Sequence, residues 1–213
     1  MMINLIFIII SLVSIIILFV LPTLEKRKEK LPYFSCFPFE TVSSYKGRIS
    51  QLILVFLCAC FMLTSYVLYL NSSYVLLISA NIFYFLSILG LIGVYLFTLN
   101  YYRYHLISAI MFGLGLVGGN FLLFLDYLIN TLNKSDSLLP VYFAVVLLIT
   151  GLFVLILFFL KKTMNWMKLD KIEDNGKVLF LRPKVNYLVL VEYVSLFAHF
   201  INLLVFLINY FIN

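Results

Sequence analysis

Charged residues are scarce in this sequence: only 11% of its 213 residues are Asp, Glu, Lys or Arg, whereas 64% are hydrophobic. Soluble domains contain about 25% charged residues and roughly half apolar ones. The mean hydropathy of +1.12 points the same way. A membrane protein is the only class that fits this composition.

The residues that build catalytic and metal centres are also scarce. The three cysteines, Cys36, Cys58 and Cys60, show no CxxC or other metal-ligand spacing, and there are only two histidines. HExxH, GxSxG and paired-carboxylate motifs are missing as well. We therefore predict no metal, no cofactor and no catalytic activity of the chain's own.

Long apolar segments are abundant. A spanning helix needs about 20 mostly apolar residues, and six segments meet this requirement: 3–21, 51–70, 74–98, 104–128, 138–160 and 186–212. The first has no basic residues before it and no small-residue cleavage site after it, so we expect a retained helix rather than a signal peptide. The predicted fold is an all-α, polytopic membrane protein with one domain of six transmembrane helices.

The basic residues are distributed unevenly between the loops. Fourteen of the fifteen Lys and Arg residues fall in the segments 22–50, 99–103 and 161–185. Because basic loops stay on the cytoplasmic or matrix side, we predict that these three segments are inside and that both termini are outside. Such loops also contact anionic lipid headgroups, so the net charge of +6 gives no reason to predict nucleic-acid binding.

Two stretches of the predicted inside loops allow a more specific structural prediction. The segment LPYFSCFPF (31–39) is aromatic, and its two prolines prevent a regular helix. It either lies on the bilayer interface or packs against a partner or a site, with Cys36 at its tip. In the other inside loop, Asp174-Asn175-Gly176 predicts a turn and Val178 to Leu181 a short strand.

The last span carries polar residues that hydrocarbon cannot satisfy. Four of them, together with Asn209, fall on one face of a helix and are called the polar stripe here: Glu192, Ser195, His199 and Asn202. Glu192 and His199 are seven residues apart, or roughly 10 Å along the axis. The stripe must face other helices or water. It either joins helices by hydrogen bonds or forms a proton path or an ion site.

The fourth span contains GLGLVGGN, in which Gly115 and Gly119 form a small-xxx-small pair. Such pairs allow two helices to approach closely, so we predict that these glycines contact a neighbouring helix. Arg103 and His105 stand at the inside end of the same span. We expect His105 to be an interfacial histidine rather than a ligand.

The first hundred residues resemble subunit three of mitochondrial NADH–quinone oxidoreductase. The resemblance rests on LPYFSCFPF (31–39) and on IFYFLSILGLIGVY (82–95). It implies an outside N-terminus and a matrix-side first loop. The chain lacks the acidic residues that this family carries in its second helix and is nearly twice as long, so no functional residue is transferred.

The chain is also similar to the six-span damage-regulated autophagy modulator family. This similarity rests on LPYFS (31–35), YHLISAIMF (104–112) and a glutamate in the last span. That family places its first loop in the lumen, opposite to the side that the basic residues predict here.

These observations lead to two functional hypotheses. The first is a non-catalytic structural or accessory subunit of a larger membrane assembly, most simply an energy-transducing, respiratory-type complex of the mitochondrial inner membrane. Its partners would be membrane lipids and other subunits, and an apolar, small-residue face should need cover. A bacterial plasma membrane or a eukaryotic endomembrane is the other location that the sequence allows. The alternative function is that of a free-standing six-span protein. It would handle a lipid, proton or small solute in a polar cavity around Glu192 and His199.

Overall fold

The computed structural model describes residues 2–29, 37, 45–70, 74–97, 101–134, 139–160, 171–174, 177–180 and 186–212. Within these residues, six helices are long and apolar enough to cross a membrane. In chain order they are α1 (Met2–Glu29), α2 (Tyr45–Tyr69), α3 (Val75–Leu96), α4 (Tyr102–Lys134), α5 (Leu139–Phe159) and α6 (Tyr187–Ile212). The prediction of a six-helix membrane protein is confirmed, and the side on which the termini lie stays a prediction.

The helices extend beyond the predicted spans where polar residues continue the helical pattern. Helix α1 runs to Glu29 and α4 to Lys134, whereas the apolar segments predicted for them end at residues 21 and 128. Helix α5 starts at Leu139, with Pro140 in its first turn. Proline is tolerated there because that amide has no partner within the helix.

A short antiparallel hairpin lies between α5 and α6. Strand β1 (Lys171–Asp174) pairs with β2 (Lys177–Phe180), and Asp174 stands opposite Lys177. Strand β2 covers the expected strand from Val178 as far as Phe180. Leu181 and the predicted turn residues Asn175 and Gly176 lie outside the described residues.

Helix α6 is the most enclosed span of the bundle. In the most apolar 18-residue stretch of α6, 61% of the residues are buried, whereas the corresponding share in the other five spans is 33–50%. It packs against α1, α4 and α5 and also reaches α2 and α3 through side-chain hydrogen bonds. The polar residues of α6 agree with this position, because a helix that contacts so many neighbours exposes few side chains to lipid.

Helices α3 and α4 form the most extensive helix pair. A Cβ atom on Gly115 would lie 2.6 Å from the backbone nitrogen of Ser87 and 2.8 Å from the carbonyl oxygen of Phe83. A Cβ atom on Gly119 would lie 2.7 Å from the ring of Tyr84. Both glycines therefore face α3 across a distance at which a side chain would not fit, and Gly115 meets backbone rather than side chain.

Candidate functional site in the last helix

All four residues of the polar stripe are buried. Ser195, His199 and Asn202 are fully enclosed, and Glu192 is 3% exposed. Three of them bind side chains of other helices, at successive heights along α6. Because a buried polar group without a partner is costly, these bonds determine how α6 sits in the bundle.

Near the N-terminal end of α6, Glu192 binds His105 of α4. The Glu192 Oε1 to His105 Nε2 distance is 2.9 Å, and both side chains are buried. The other ring nitrogen, Nδ1 of His105, lies 3.0 Å from the backbone oxygen of Phe97. A carbonyl oxygen can only accept, so Nδ1 must carry a proton. We call these two side chains the His105–Glu192 pair.

The hydrogen bond within this pair contains one further proton. If Glu192 is ionised, His105 is doubly protonated and donates from Nε2; if Glu192 is neutral, its hydroxyl donates to a bare Nε2. In either case the pair binds the same number of protons and has no net charge. This sharing makes an acid and a base acceptable in an apolar bundle, where a lone charge would be costly.

The expectation that His105 is interfacial is therefore wrong: its side chain is fully buried. The reason is that the side chain of His105 points into the bundle, where it contacts the backbone oxygen of Phe97, next to the end of α3, and Glu192 of α6. Phe37 adds to this cover, with its ring centroid 4.7 Å from that of His105 in an edge-on arrangement. Phe37 is the described residue of the aromatic segment 31–39; Cys36 lies outside the described residues.

Near the middle of α6, His199 is held between α2 and α3. Its Nδ1 lies 2.7 Å from the hydroxyl of Tyr66 and its Nε2 lies 2.8 Å from the hydroxyl of Ser87. The Ser87 hydroxyl donates its own proton to the backbone oxygen of Phe112, so it must accept from Nε2. The ring of Phe112 also stacks on that of His199, with centroids 5.5 Å apart.

These directions assign the tautomer of His199. Nε2 carries the proton and donates it to Ser87, whereas Nδ1 is bare and accepts from the Tyr66 hydroxyl. Each ring nitrogen has one partner in the role that it can fill. His199 is therefore satisfied as a neutral ring that links α2, α3 and α6.

Above His199, Asn202 forms a reciprocal amide pair with Asn120 of α4. Asn202 donates to Asn120 at 2.6 Å, and Asn120 donates in return at 3.3 Å. Asn120 also accepts from Tyr84 of α3 and donates to Leu147 and Thr150 of α5. This one amide therefore joins four helices.

Near the C-terminal end of α6, Asn209 donates to the hydroxyl of Tyr69 on α2. That hydroxyl lies 2.8 Å from the hydroxyl of Tyr127 on α4. The polar contacts of α6 thus continue from Glu192 near its N-terminal end to Asn209 near its C-terminal end. They form separate layers with apolar and aromatic side chains between them, for example the stacked rings of Tyr69 and Phe206.

Sequence analysis missed the partners of the stripe rather than the stripe itself. Ser87 and Asn120 are visible as polar residues within apolar spans, but the sequence suggested only close packing for them. Tyr66 is one of fifteen tyrosines and carries no signal of its own. Only the relative height and rotation of the helices reveal these partners.

An apolar cleft of about 300 Å³ opens between α4 and α5. Among its lining residues are Gly118 and Phe121 from α4 and Gly151 and Leu152 from α5. Phe121 and Leu152 are about half exposed. The cleft is thus a surface of small and apolar residues that faces outward from the bundle.

The described residues contain no cluster that could form a metal centre, and the chain matches no family model. No group of three or more His, Cys, Asp or Glu side chains that could hold a metal ion occurs among the described residues. No family model matches the chain, and no match is found among curated proteins or solved structures. The two resemblances seen in the sequence therefore stay predictions.

Proposed function

We propose that the protein is a non-catalytic structural or accessory subunit of a larger membrane assembly. The observation that supports this best is that Glu192 and His199 bind side chains of other helices and are almost closed to solvent. Intramembrane groups that move a solute usually face a water-filled cavity. Groups that join helices are paired with one another, as these two are.

The assembly we favour is an energy-transducing, respiratory-type complex of the mitochondrial inner membrane. Support for this comes from the resemblance of the first hundred residues to subunit three of NADH–quinone oxidoreductase. The apolar cleft between α4 and α5 is the surface at which a neighbouring subunit would pack, because half-exposed apolar side chains such as Phe121 and Leu152 line it. Membrane lipids cover the remaining apolar surface.

Native-gel migration after extraction in a mild detergent tests this proposal. We expect the chain to migrate within a complex much larger than its own 24.7 kDa. Leu152→Trp, which fills the cleft, should release it from that complex. Ile149→Trp is the matched control, because Ile149 lies on the same helix, is exposed and does not line the cleft. A chain that migrates alone before any substitution would contradict the proposal.

The alternative is a free-standing protein that handles a lipid, proton or small solute around Glu192 and His199. The observation that favours it is the series of polar layers from Glu192 to Asn209 across the span. Glu192→Gln separates the two functions, because an amide keeps hydrogen-bonding capacity but cannot titrate. A variant that assembles normally and loses activity would support the alternative, and one that retains both supports the subunit.

A further inference from the structure

Two buried hydroxyl groups near the His105–Glu192 pair have no hydrogen-bond partner among the described residues. They belong to Tyr95 of α3 and Ser195 of α6, whose side chains are 2% and 0% exposed. Almost all buried polar groups in native structures are paired. Two unpaired hydroxyl groups close to one buried carboxylate therefore need an explanation.

Both hydroxyls are placed to meet Glu192. Ser195 is three residues after Glu192, so the two share a helix face, and side chains on a helix lean towards its N-terminus, which here means towards Glu192. Tyr95 lies near enough to Glu192 for an electrostatic interaction.

The register of the two helices agrees with this placement. The His199–Ser87 hydrogen bond holds α3 and α6 at one height. Tyr95 is eight residues along α3 from that contact, and Glu192 is seven residues back along α6. These separations correspond to about 12 Å and about 10 Å in the same direction.

We propose that the His105–Glu192 pair is a proton-binding site with two settings, which are two hydrogen-bonding arrangements of the Glu192 carboxylate. In the second setting the carboxylate binds the hydroxyls of Tyr95 and Ser195. In the first setting, Glu192 binds His105 and one proton lies in that hydrogen bond. In the second setting, the Glu192 carboxylate accepts hydrogen bonds from Tyr95 and Ser195. His105 is then neutral and keeps its Nδ1–H bond to Phe97.

The change between settings releases one proton. The pair starts without net charge, the bridging proton leaves to water on the inner side, and the pair is left with the single negative charge of Glu192. Two donated hydrogen bonds stabilise that charge. Arg48 of α2 adds a positive charge at this end, because its Nη2 lies 3.1 Å from the backbone oxygen of Tyr95.

Other titratable groups surround the site. Tyr102 of α4 and Tyr193 of α6 lie within electrostatic range of Glu192 or Tyr95, and Cys58 of α2 lies within that range of Tyr95. Tyrosine and cysteine side chains ordinarily lose their proton only above the physiological pH range. They therefore add no charge that would oppose proton release.

Infrared difference spectroscopy of the protein in lipid, across a pH titration, tests the proposal. In the unsubstituted protein we expect the imidazolium or carboxylic-acid signal of the pair to disappear in a single step as pH rises. In the double variant Tyr95→Phe/Ser195→Ala, the deprotonated setting loses two hydrogen bonds. The step should therefore move to higher pH, by roughly 1–2 pH units for each lost hydroxyl.

Two controls make this result specific. Glu192→Gln should abolish the step, and Ser14→Ala should leave it in place, because the Ser14 hydroxyl bonds only within α1, to Ile10. The double variant should not lower the thermal unfolding temperature at the pH of the first setting, where its missing hydroxyls had no partner. An unchanged midpoint, or a lowered unfolding temperature at that pH, would overturn the proposal, as would a pair that never releases its proton.

Discussion

Among the residues of the polar stripe, we expect Glu192, its one acid, to have the largest effect on stability. A charged side chain within a spanning helix is costly unless it has a partner. In this bundle the cost is offset by His105, which shares a proton with Glu192 and in turn donates to the backbone of α3. Loss of either partner leaves a buried polar group without its counterpart, so the two residues depend on each other.

Glu192→Leu should lower the free energy of unfolding by roughly 3–5 kcal/mol, because it removes one partner of a buried pair. Glu192→Gln should cost less, because its amide can still donate to the bare Nε2 of neutral His105. Thermal unfolding can be followed through Cys58, whose buried thiol becomes reactive on unfolding, in a background that lacks Cys36 and Cys60.

The double variant His105→Leu/Glu192→Leu serves as the control for this interpretation. If the two side chains stabilise the bundle as a pair, the double variant should lose much less than the sum of the two single variants. Additive losses would show that each residue acts through other contacts.

The tautomer of His199 provides a second prediction at this scale. Nitrogen NMR of labelled protein should show a protonated Nε2 and a bare Nδ1 at neutral pH. Tyr66→Phe removes the donor to Nδ1 and should cost about 1–3 kcal/mol. Phe200→Leu is a suitable control, because Phe200 is half-buried on the same helix and lacks the polar contacts of His199. The opposite tautomer would contradict the assigned direction of the Ser87 bond.

Among the helix pairs, the packing of α3 against α4 depends most on glycines, which have no side chain. The backbone of α3 lies directly against Gly115, whereas Gly119 meets the ring of Tyr84, which also binds Asn120. Backbone cannot move aside as a flexible side chain can. The two glycines therefore differ in how much substitution they tolerate.

Gly119→Leu should disrupt packing or assembly far more than Leu122→Ile, a volume-conserving change at a half-buried site on the same helix. Even Gly115→Ala should cost about 1–3 kcal/mol, because the added carbon overpacks against the backbone of Ser87. The same unfolding assay measures both effects. Equal tolerance of Gly119→Leu and Leu122→Ile would show that this face of α4 does not pack as described.

The helices could be predicted from the sequence more fully than their contacts. Runs of apolar residues give the six spans, and helical spacing places Glu192, Ser195, His199 and Asn202 on one face. The position of α4 in the bundle depends instead on tight packing against α3, as at Gly115. His105 therefore looked interfacial, although in the folded chain it lies against Glu192.

For the molecule as a whole, the distribution of basic residues predicts the orientation in the membrane. Cysteine labelling should place sites introduced at Lys28 and Lys171 on the inside and a site at Asn213 on the outside. Because the described residues form six spanning helices, the start of α1 and the end of α6 should lie on the same side. A reporter fused at Asn213 that faces the cytoplasm or matrix would overturn this orientation.

The order of the polar contacts along the chain also has a consequence for biogenesis. Tyr66, Ser87, His105 and Asn120 all precede α6, so the ribosome has completed the partners of the polar stripe before it makes the stripe. When α6 leaves the translocon, α2, α3 and α4 already offer donors and acceptors at matching depths. The earlier helices thus provide, within the same chain, the hydrogen-bond partners that the polar residues of α6 would lack in lipid.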